Sequence, residues 1–170
     1  MLIINFFKVC HRSRGSVIIL IIEHLADHKE YIDTVTNWLW KEFGNENNYD
    51  FFQSIIKNSL IKNKLPLTFI ALVDNELVGT IGLWRSDLMS RQDLFPWLSA
   101  LFVKKNFRGK MIGQKLQNFL VEYCREVGFA ELFLYTDICD YYEKTGWEYI
   151  EDGVEFSGGH IKIYKKKLSE

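Results

Sequence analysis

The sequence predicts an α/β (α+β) fold, a mixed sheet of about seven strands flanked by helices, in the order β-α-α-β-β-β-α-β-α-β-β. Three features point to it. An apolar run from Trp97 to Val103 passes through a basic, Gly-bearing turn into a long amphipathic helix, the form of a crossover between parallel strands. Before it, Pro66 to Val73 and Glu76 to Arg85 meet at Asp74-Asn75, residues that suit a tight hairpin turn. After it, Trp147 to Phe156 and Ile161 to Leu168 meet across Ser157-Gly158-Gly159. Hairpins are antiparallel and crossovers parallel, so the sheet is mixed.

The remaining elements follow in chain order. Met1 to Ser16 is read as an extension of unknown role, and residues 17–170 as one domain. Val17 to Glu23 is β-branched and apolar, a buried strand too short to span a bilayer. Asp27-His28-Lys29-Glu30 has the form of a capping box, and Ile32, Val35, Leu39 and Phe43 continue at helical spacing until Gly44. Asp50-Phe51-Phe52-Gln53 is a second cap-like tetrad, opening a helix that runs toward Lys64. Pro96 stands at a strand start, where its missing N–H is tolerable. The long helix carries Ile112, Leu116, Phe119, Leu120, Tyr123 and Val127 on one face, with Gly128 as its stop. Glu131 to Tyr135 is a short strand, and Asp137 to Thr145 a short helix ended by Gly146.

Composition bounds the function. The 170 residues are 48% hydrophobic and 15% aromatic, which excludes a disordered chain and allows a sizeable core. The net charge of −1 gives no general pull toward nucleic acid. Cys10, Cys124 and Cys139 are odd in number and lack metal spacing, so they read as reduced thiols of a cytoplasmic protein. His11, His24, His28 and His160 show no ligand spacing, and no metal is expected.

Against that neutral background, Lys104, Lys105, Arg108, Lys110 and Lys115 fall close together, and no Asp or Glu occurs from Lys104 to Val121. The unpaired N–H groups at the start of the following helix and the positive end of its dipole point the same way, so an anion fits there. Arg108-Gly109-Lys110-Met111-Ile112-Gly113 resembles the acetyl-CoA signature R/Q-x-x-G-x-G/A of the GCN5-related N-acetyltransferases, with Met111 at the middle glycine. A helical φ is expected at Met111. Tyr142-Glu143-Lys144-Thr145-Gly146-Trp147 resembles a second segment of that family, Y-E-K-x-G-F. The resemblance covers roughly Val17 to Leu168 and implies the three-layer fold of that family.

It also implies an acetyl-CoA-dependent N-acetyltransferase, in which a primary amine attacks the thioester directly in a ternary complex. By that resemblance Leu101, Phe102 and Val103 serve the pantetheine arm, and Arg108, Gly109, Lys110, Met111, Ile112 and Gly113 hold the pyrophosphate. Tyr142 matches the general acid for the leaving thiolate, and its ordinary pKa near ~10 keeps it protonated at neutral pH. The base is read from position alone. Strand Pro96 to Val103 has no acid, so Asp87, just past the preceding strand, is the first candidate, with Asp93 behind it. Glu42 and Glu46 are candidates for holding a cationic acceptor. Trp38, Trp40, Trp84, Phe95 and Trp97 are aromatics near the expected acceptor side, and Trp38 and Trp40 cannot share a helix face.

The expected partner is a small-molecule or peptide amine, with no nucleic acid and no membrane, and a monomer or homodimer. The alternative is a non-catalytic acyl-CoA-binding sensor of the same fold, which Met111 favours. A nucleic-acid binder using Lys104 to Lys115 and Lys162 to Lys167 is disfavoured by the acids elsewhere.

Overall fold

The structure, a computed structural model, describes residues 7–13, 16–138 and 140–168, with side chains from Ile19 onward apart from residue 139. Eight strands form one mixed sheet: β1 (Phe7–Ser13), β2 (Ser16–His24), β3 (Leu67–Val73), β4 (Glu76–Trp84), β5 (Trp97–Val103), β6 (Glu131–Thr136), β7 (Glu148–Val154) and β8 (His160–Lys167). Among the described residues three α-helices accompany them: α1 (Ile32–Phe43), α2 (Tyr49–Asn58) and α3 (Ile112–Glu126). Seven of the strands are those the sequence predicts. The eighth, β1, lies in the segment read as an extension and pairs antiparallel with β2 from Phe7 opposite Ile22 to Ser13 opposite Ser16. Cys139 and the side chains of Cys10 and His11 fall outside the described residues, whereas Cys124 is a buried free thiol. Among the described residues no helix is long and apolar enough to cross a membrane.

The described residues pack as two compact units, those of 7–82 with 100–119, and those of 83–99 with 120–168. In the first, the strands run β1-β2-β3-β4-β5. The β3–β4 turn needs positive φ at both central residues, and Asp74 (48°) and Asn75 (67°) supply it, being residue types that tolerate the left-handed region. Asp74 also ties the turn to β2, its N–H donating to Ile19 O at 3.2 Å. The apolar stripes of α1 and α2 bury Val35, Leu39, Phe52 and Ile56 against Ile70, Leu72 and Leu77. Trp38 and Trp40 leave α1 on different sides, as their spacing requires. Trp38 packs on Phe102 of β5 at 4.9 Å, and Trp40 on Tyr49 of α2 at 5.4 Å.

Neither predicted capping box forms. Residues 25–27 and 29–31 coil into two short 3-10 turns, so α1 starts late with Tyr31 at its N-cap and no side-chain cap bond. Asp27 instead meets Lys62 at 2.5 Å. Asn48, not Asp50, precedes α2, and that helix stops at Asn58 rather than near Lys64, where Ser59 Oγ donates to Ile56 O at 2.8 Å.

In the second unit the order is β5-β6-β8-β7, with β5 and β6 parallel at Trp97 opposite Phe133 and the rest antiparallel. Trp97 is fully buried among Leu88, Phe133, Ile161 and Ile163, and its indole N–H donates to Leu94 O at 2.8 Å. Gly153 on β7 lets this core close, since a Cβ there would lie 2.9 Å from Leu88 and 2.7 Å from Ile161. Asp137 to Thr145 is not a helix. Among the described residues of that stretch only Glu143–Thr145 coils, as one 3-10 turn, because Asp140 (φ 58°) breaks the helical path before it and Gly146 (φ 80°) closes it.

One close approach places the strand that leads into the basic turn. A Cβ on Gly79 of β4 would sit 2.8 Å from the backbone oxygen of Phe102 on β5. Gly79→Ala should therefore push β4 and β5 apart and cost about 1–3 kcal/mol in a denaturant melt. Unchanged stability would mean the two strands have slack there.

Candidate active site

Within β5 the backbone changes character. Trp97 to Ser99 are buried, whereas Ala100 to Val103 are all partly exposed, so the alternation of a regular strand is broken. The cause is Ala100, whose φ of 52° lies in the left-handed region. A residue of that conformation turns the strand and lifts backbone groups out of regular pairing, as a bulge does. Leu101, Phe102 and Val103 follow it directly. Alanine carries no sequence signal for this angle, and the sequence reading missed it.

After β5, Lys104 donates its N–H to Val78 O at 2.9 Å, and a 3-10 turn runs from Lys105 to Phe107. Gly109 (φ 75°) and Met111 (φ 59°) are then both left-handed, and α3 begins at Ile112. The helical φ expected at Met111 is therefore overturned. The chain must reverse before the helix can start, and that reversal uses the angle glycine adopts without strain. Met111 keeps it as a non-glycine residue, with its side chain 58% exposed rather than packed beneath the turn.

This geometry leaves an open helix start. Lys115 N–H reaches Met111 O at 3.0 Å, and the N–H groups of Ile112, Gly113 and Gln114 precede any carbonyl that the helix could offer them. A Cβ on Gly109 would meet nothing within 4 Å, and one on Gly113 only Val103 Cγ2 at 3.8 Å. Three donors at the positive end of a 15-residue helix, beside glycines with clear space, fit a pyrophosphate.

The charges around it divide into two kinds. Arg108 braces the turn: its Nε donates to Val103 O at 2.8 Å, its Nη2 meets Glu42 Oε1 at 3.0 Å, and its guanidinium lies over Phe102. Lys104 pairs with Glu76 at 2.6 Å. Glu42 is thus committed to Arg108. Lys105, Lys110 and Lys115 have no ion-pair partner among the described residues, so they carry the local positive field.

The two proton-handling candidates belong to the second unit. Tyr142 caps the 3-10 turn with its carbonyl, which accepts from Thr145 N (3.0 Å), Thr145 Oγ1 (2.9 Å) and Trp147 N (3.1 Å). Its ring packs on Tyr141, Tyr164 and Trp147, and burial pushes its hydroxyl up to about 12. Asp87 is half-buried, yet protein crowds its carboxyl enough that desolvation pushes it up to about 7. The charge of Glu155 adds to that rise, and Ser99 opposes it. Ser99 Oγ is buried beside Asp87, with no regular hydrogen bond among the described residues. Burial raises Tyr135 too, with Asp87 and Glu155 adding to the shift. The hydrogen bond from Arg91 at 2.7 Å lowers the Asp93 carboxyl from its ordinary value, and Arg91 also binds Glu151. Among the described residues no group of three His, Cys, Asp or Glu could hold a metal ion.

A family model, the acetyltransferase (GNAT) family, matches residues 32–147. The chain belongs to that family. It is therefore an acyltransferase by descent. Solved structures agree in fold. A GNAT-family acetyltransferase from Staphylococcus aureus Mu50 aligns at 22% identity with a TM-score of 0.65, covering 88% of this chain and 99% of that one. An aminoglycoside 6'-N-acetyltransferase complexed with coenzyme A aligns at 17% identity with a TM-score of 0.65, covering 88% and 97%. Mutant forms of the spermidine/spermine N-acetyltransferase SpeG from Vibrio cholerae align at 14% identity with a TM-score of 0.66, covering 88% and 95%. The curated proteins contain no match.

Within this GNAT chain, Leu101 to Val103 and Arg108 to Gly113 both belong to the first unit, and Arg108 joins the two segments through its bond to Val103 O. The departure at Met111 now has a measurable cost. A left-handed φ on a residue with a Cβ costs about 1 kcal/mol, which glycine does not incur. Met111→Gly should therefore raise stability by about 1 kcal/mol in a denaturant melt, although glycine within a regular helix would lower it. A loss of stability would mean that the methionine side chain supports the turn.

Proposed function

We propose that the chain transfers the acetyl group of acetyl-CoA to a primary amine by direct attack in a ternary complex. The observation that carries the reading is the open start of α3, three N–H donors beside Gly109 and Gly113 that have no partner among the described residues. Those donors, with Lys105 and Lys110 nearby in sequence, would hold the pyrophosphate of acetyl-CoA, and Arg108 would keep the turn in shape. Leu101, Phe102 and Val103 would pair along the pantetheine arm, since the turn at Ala100 frees backbone there. A backbone N–H at Leu101 would polarise the thioester carbonyl.

Acetyl-CoA, as substrate, supplies an activated acyl carbon. The amine nitrogen forms the new C–N bond, the C–S bond breaks, and the electron pair leaves on sulfur. One proton must leave the amine and one must reach the thiolate. Asp87 is the group we assign to the first, directly or through a water. A base poised near 7 is half-ionised at neutral pH, close to the optimum for general-base work. Tyr142 is assigned to the second. Its raised pKa keeps the proton in place until a thiolate needs it. Most of the acceleration in such a reaction comes from alignment of the two reactants.

The acceptor is a small-molecule or peptide amine. Neighbours of this fold named for aminoglycoside and for spermidine/spermine acetylation make those amines the first members of a test panel.

The test is amine-dependent release of free thiol from acetyl-CoA across that panel, measured against pH. With an accepted amine, kcat/KM should rise through pH about 7 as Asp87 ionises, and Asp87→Asn should abolish that rise and lower the rate by about 10²-fold or more. Stability should move oppositely. The folded protein holds Asp87's proton from its ordinary value, 3.8, up to about 7, so folding stability falls as pH rises across that window. Asp87→Asn removes the dependence, and the variant should gain stability relative to the parent at pH 8 but not at pH 3. Acetyl-CoA binding with no thiol release from any amine would favour a sensor over an enzyme.

A further inference from the structure

The turn that carries Tyr142 is short and irregular. A 3-10 turn of three residues has little stability of its own, and residues 137, 138 and 140–142 before it form no regular element. Something else must fix the tyrosine. The neighbouring strand does so with two side chains. Tyr164 and Lys166 are two apart on β8, so both project to the same face of the sheet. Tyr164 OH donates to Glu143 Oε1 at 2.7 Å, at the start of the turn. Lys166 Nζ donates to Thr145 O at 2.6 Å, at its end. The two bonds grip the turn at both ends.

The packing reinforces that grip. The Tyr164 ring lies 5.9 Å from the Tyr142 ring, and the Lys166 ammonium sits 5.6 Å over the ring of buried Trp147, which itself packs on Tyr142. A Cβ on Gly146 would lie 3.5 Å from Lys166 Nζ, so the amine rests against the left-handed residue that closes the turn. β8 is hydrogen-bonded on both sides, Tyr164 standing opposite Leu134 of β6 and Tyr149 of β7. It is a rigid base from which to hold a loop. A lysine at this depth loses part of its hydration, and a charge-assisted bond to a backbone carbonyl compensates it.

We propose that Lys166 and Tyr164 are positioning residues for Tyr142, a two-point clamp from β8 that aims the phenol at the leaving sulfur. The proposal rests on the reading of Tyr142 as the general acid. Nothing in the sequence links these positions: Lys166 lies in the run Lys165-Lys166-Lys167, which reads as a solvated face.

The test is a double-mutant cycle on full-length protein, followed by thiol release with a working amine. Tyr142→Phe should lower kcat by about 10²-fold. Lys166→Met keeps the apolar stem and removes the donor, and it should lower kcat by about 10-fold with the KM for acetyl-CoA unchanged. In the Tyr142→Phe background the same change should do nothing further, because there is no phenol left to aim. Tyr164→Phe, which deletes only the oxygen and keeps the ring packing, should repeat this pattern, and it serves if Lys166→Met folds poorly. An equal loss in both backgrounds would overturn the clamp and leave Tyr142 standing. Unchanged turnover in Tyr142→Phe alone would overturn the acid assignment, and the clamp with it.

Discussion

The reversal of the chain between β5 and α3 governs everything built around it. An α-helix can leave donors free at its start only if the preceding residues turn away from the helical path. Gly109 and Met111, both left-handed, do this here, and the helix begins abruptly at Ile112. Had residues 108–111 been helical, their carbonyls would have satisfied the N–H groups of Ile112, Gly113 and Gln114, and the turn would be an ordinary basic surface. The surrounding contacts serve the same end. Arg108 fastens the turn to Val103 and Glu42, and Lys104 fastens its entry to Glu76. Two of the five cations in the cluster are structural braces, which leaves three to act on an anion.

The shifts of the two proposed proton-handling groups in the second unit follow from burial rather than from residue type. Desolvation raises both candidates, because both are acids whose charged form is disfavoured away from water. The consequences are opposite in use. Tyr142 moves further from neutrality, as the proposed acid requires. Asp87 moves toward neutrality, where the proposed base would work. Asp93, six residues on, faces Arg91 and moves the other way, which removes it from the choice. The sequence reading put Asp87 ahead of Asp93 on position alone, and their surroundings now separate them on physical grounds.

Much of this was legible in the chain. The stripe on α3 and the two hairpins are periodic, and tertiary packing had no reason to oppose them. Asp74-Asn75 could be read as a turn because both residue types tolerate positive φ. The features that escaped are those where the residue type conceals the backbone. Ala100 and Met111 hold left-handed angles that neither residue prefers, so no propensity argument reaches them. The cap-like tetrads at Asp27 and Asp50 failed because a local motif competes with tertiary contacts: Lys62 takes Asp27, and the first residues coil as 3-10 turns. The supposed helix at 137–145 failed because Asp140, at φ 58°, leaves the helical path before Gly146 closes the single turn that remains. The grip of β8 on Tyr142 is long-range, and spacing cannot show a bond between residues 21 apart.

Pyrophosphate binding by the backbone at the start of α3 is tested most directly by calorimetry. The affinities of the parent and Gly113→Val are compared for acetyl-CoA and for S-acetylpantetheine, which lacks the pyrophosphate. Gly113 has room for a Cβ, so the variant should fold. Charge-assisted bonds to two or three N–H groups predict that acetyl-CoA binds the parent tighter by roughly 10²-fold or more. Gly113→Val, by crowding the first turn, should remove most of that difference and leave the pantetheine affinity unchanged. A folded variant that keeps the full preference for acetyl-CoA would contradict the backbone cradle.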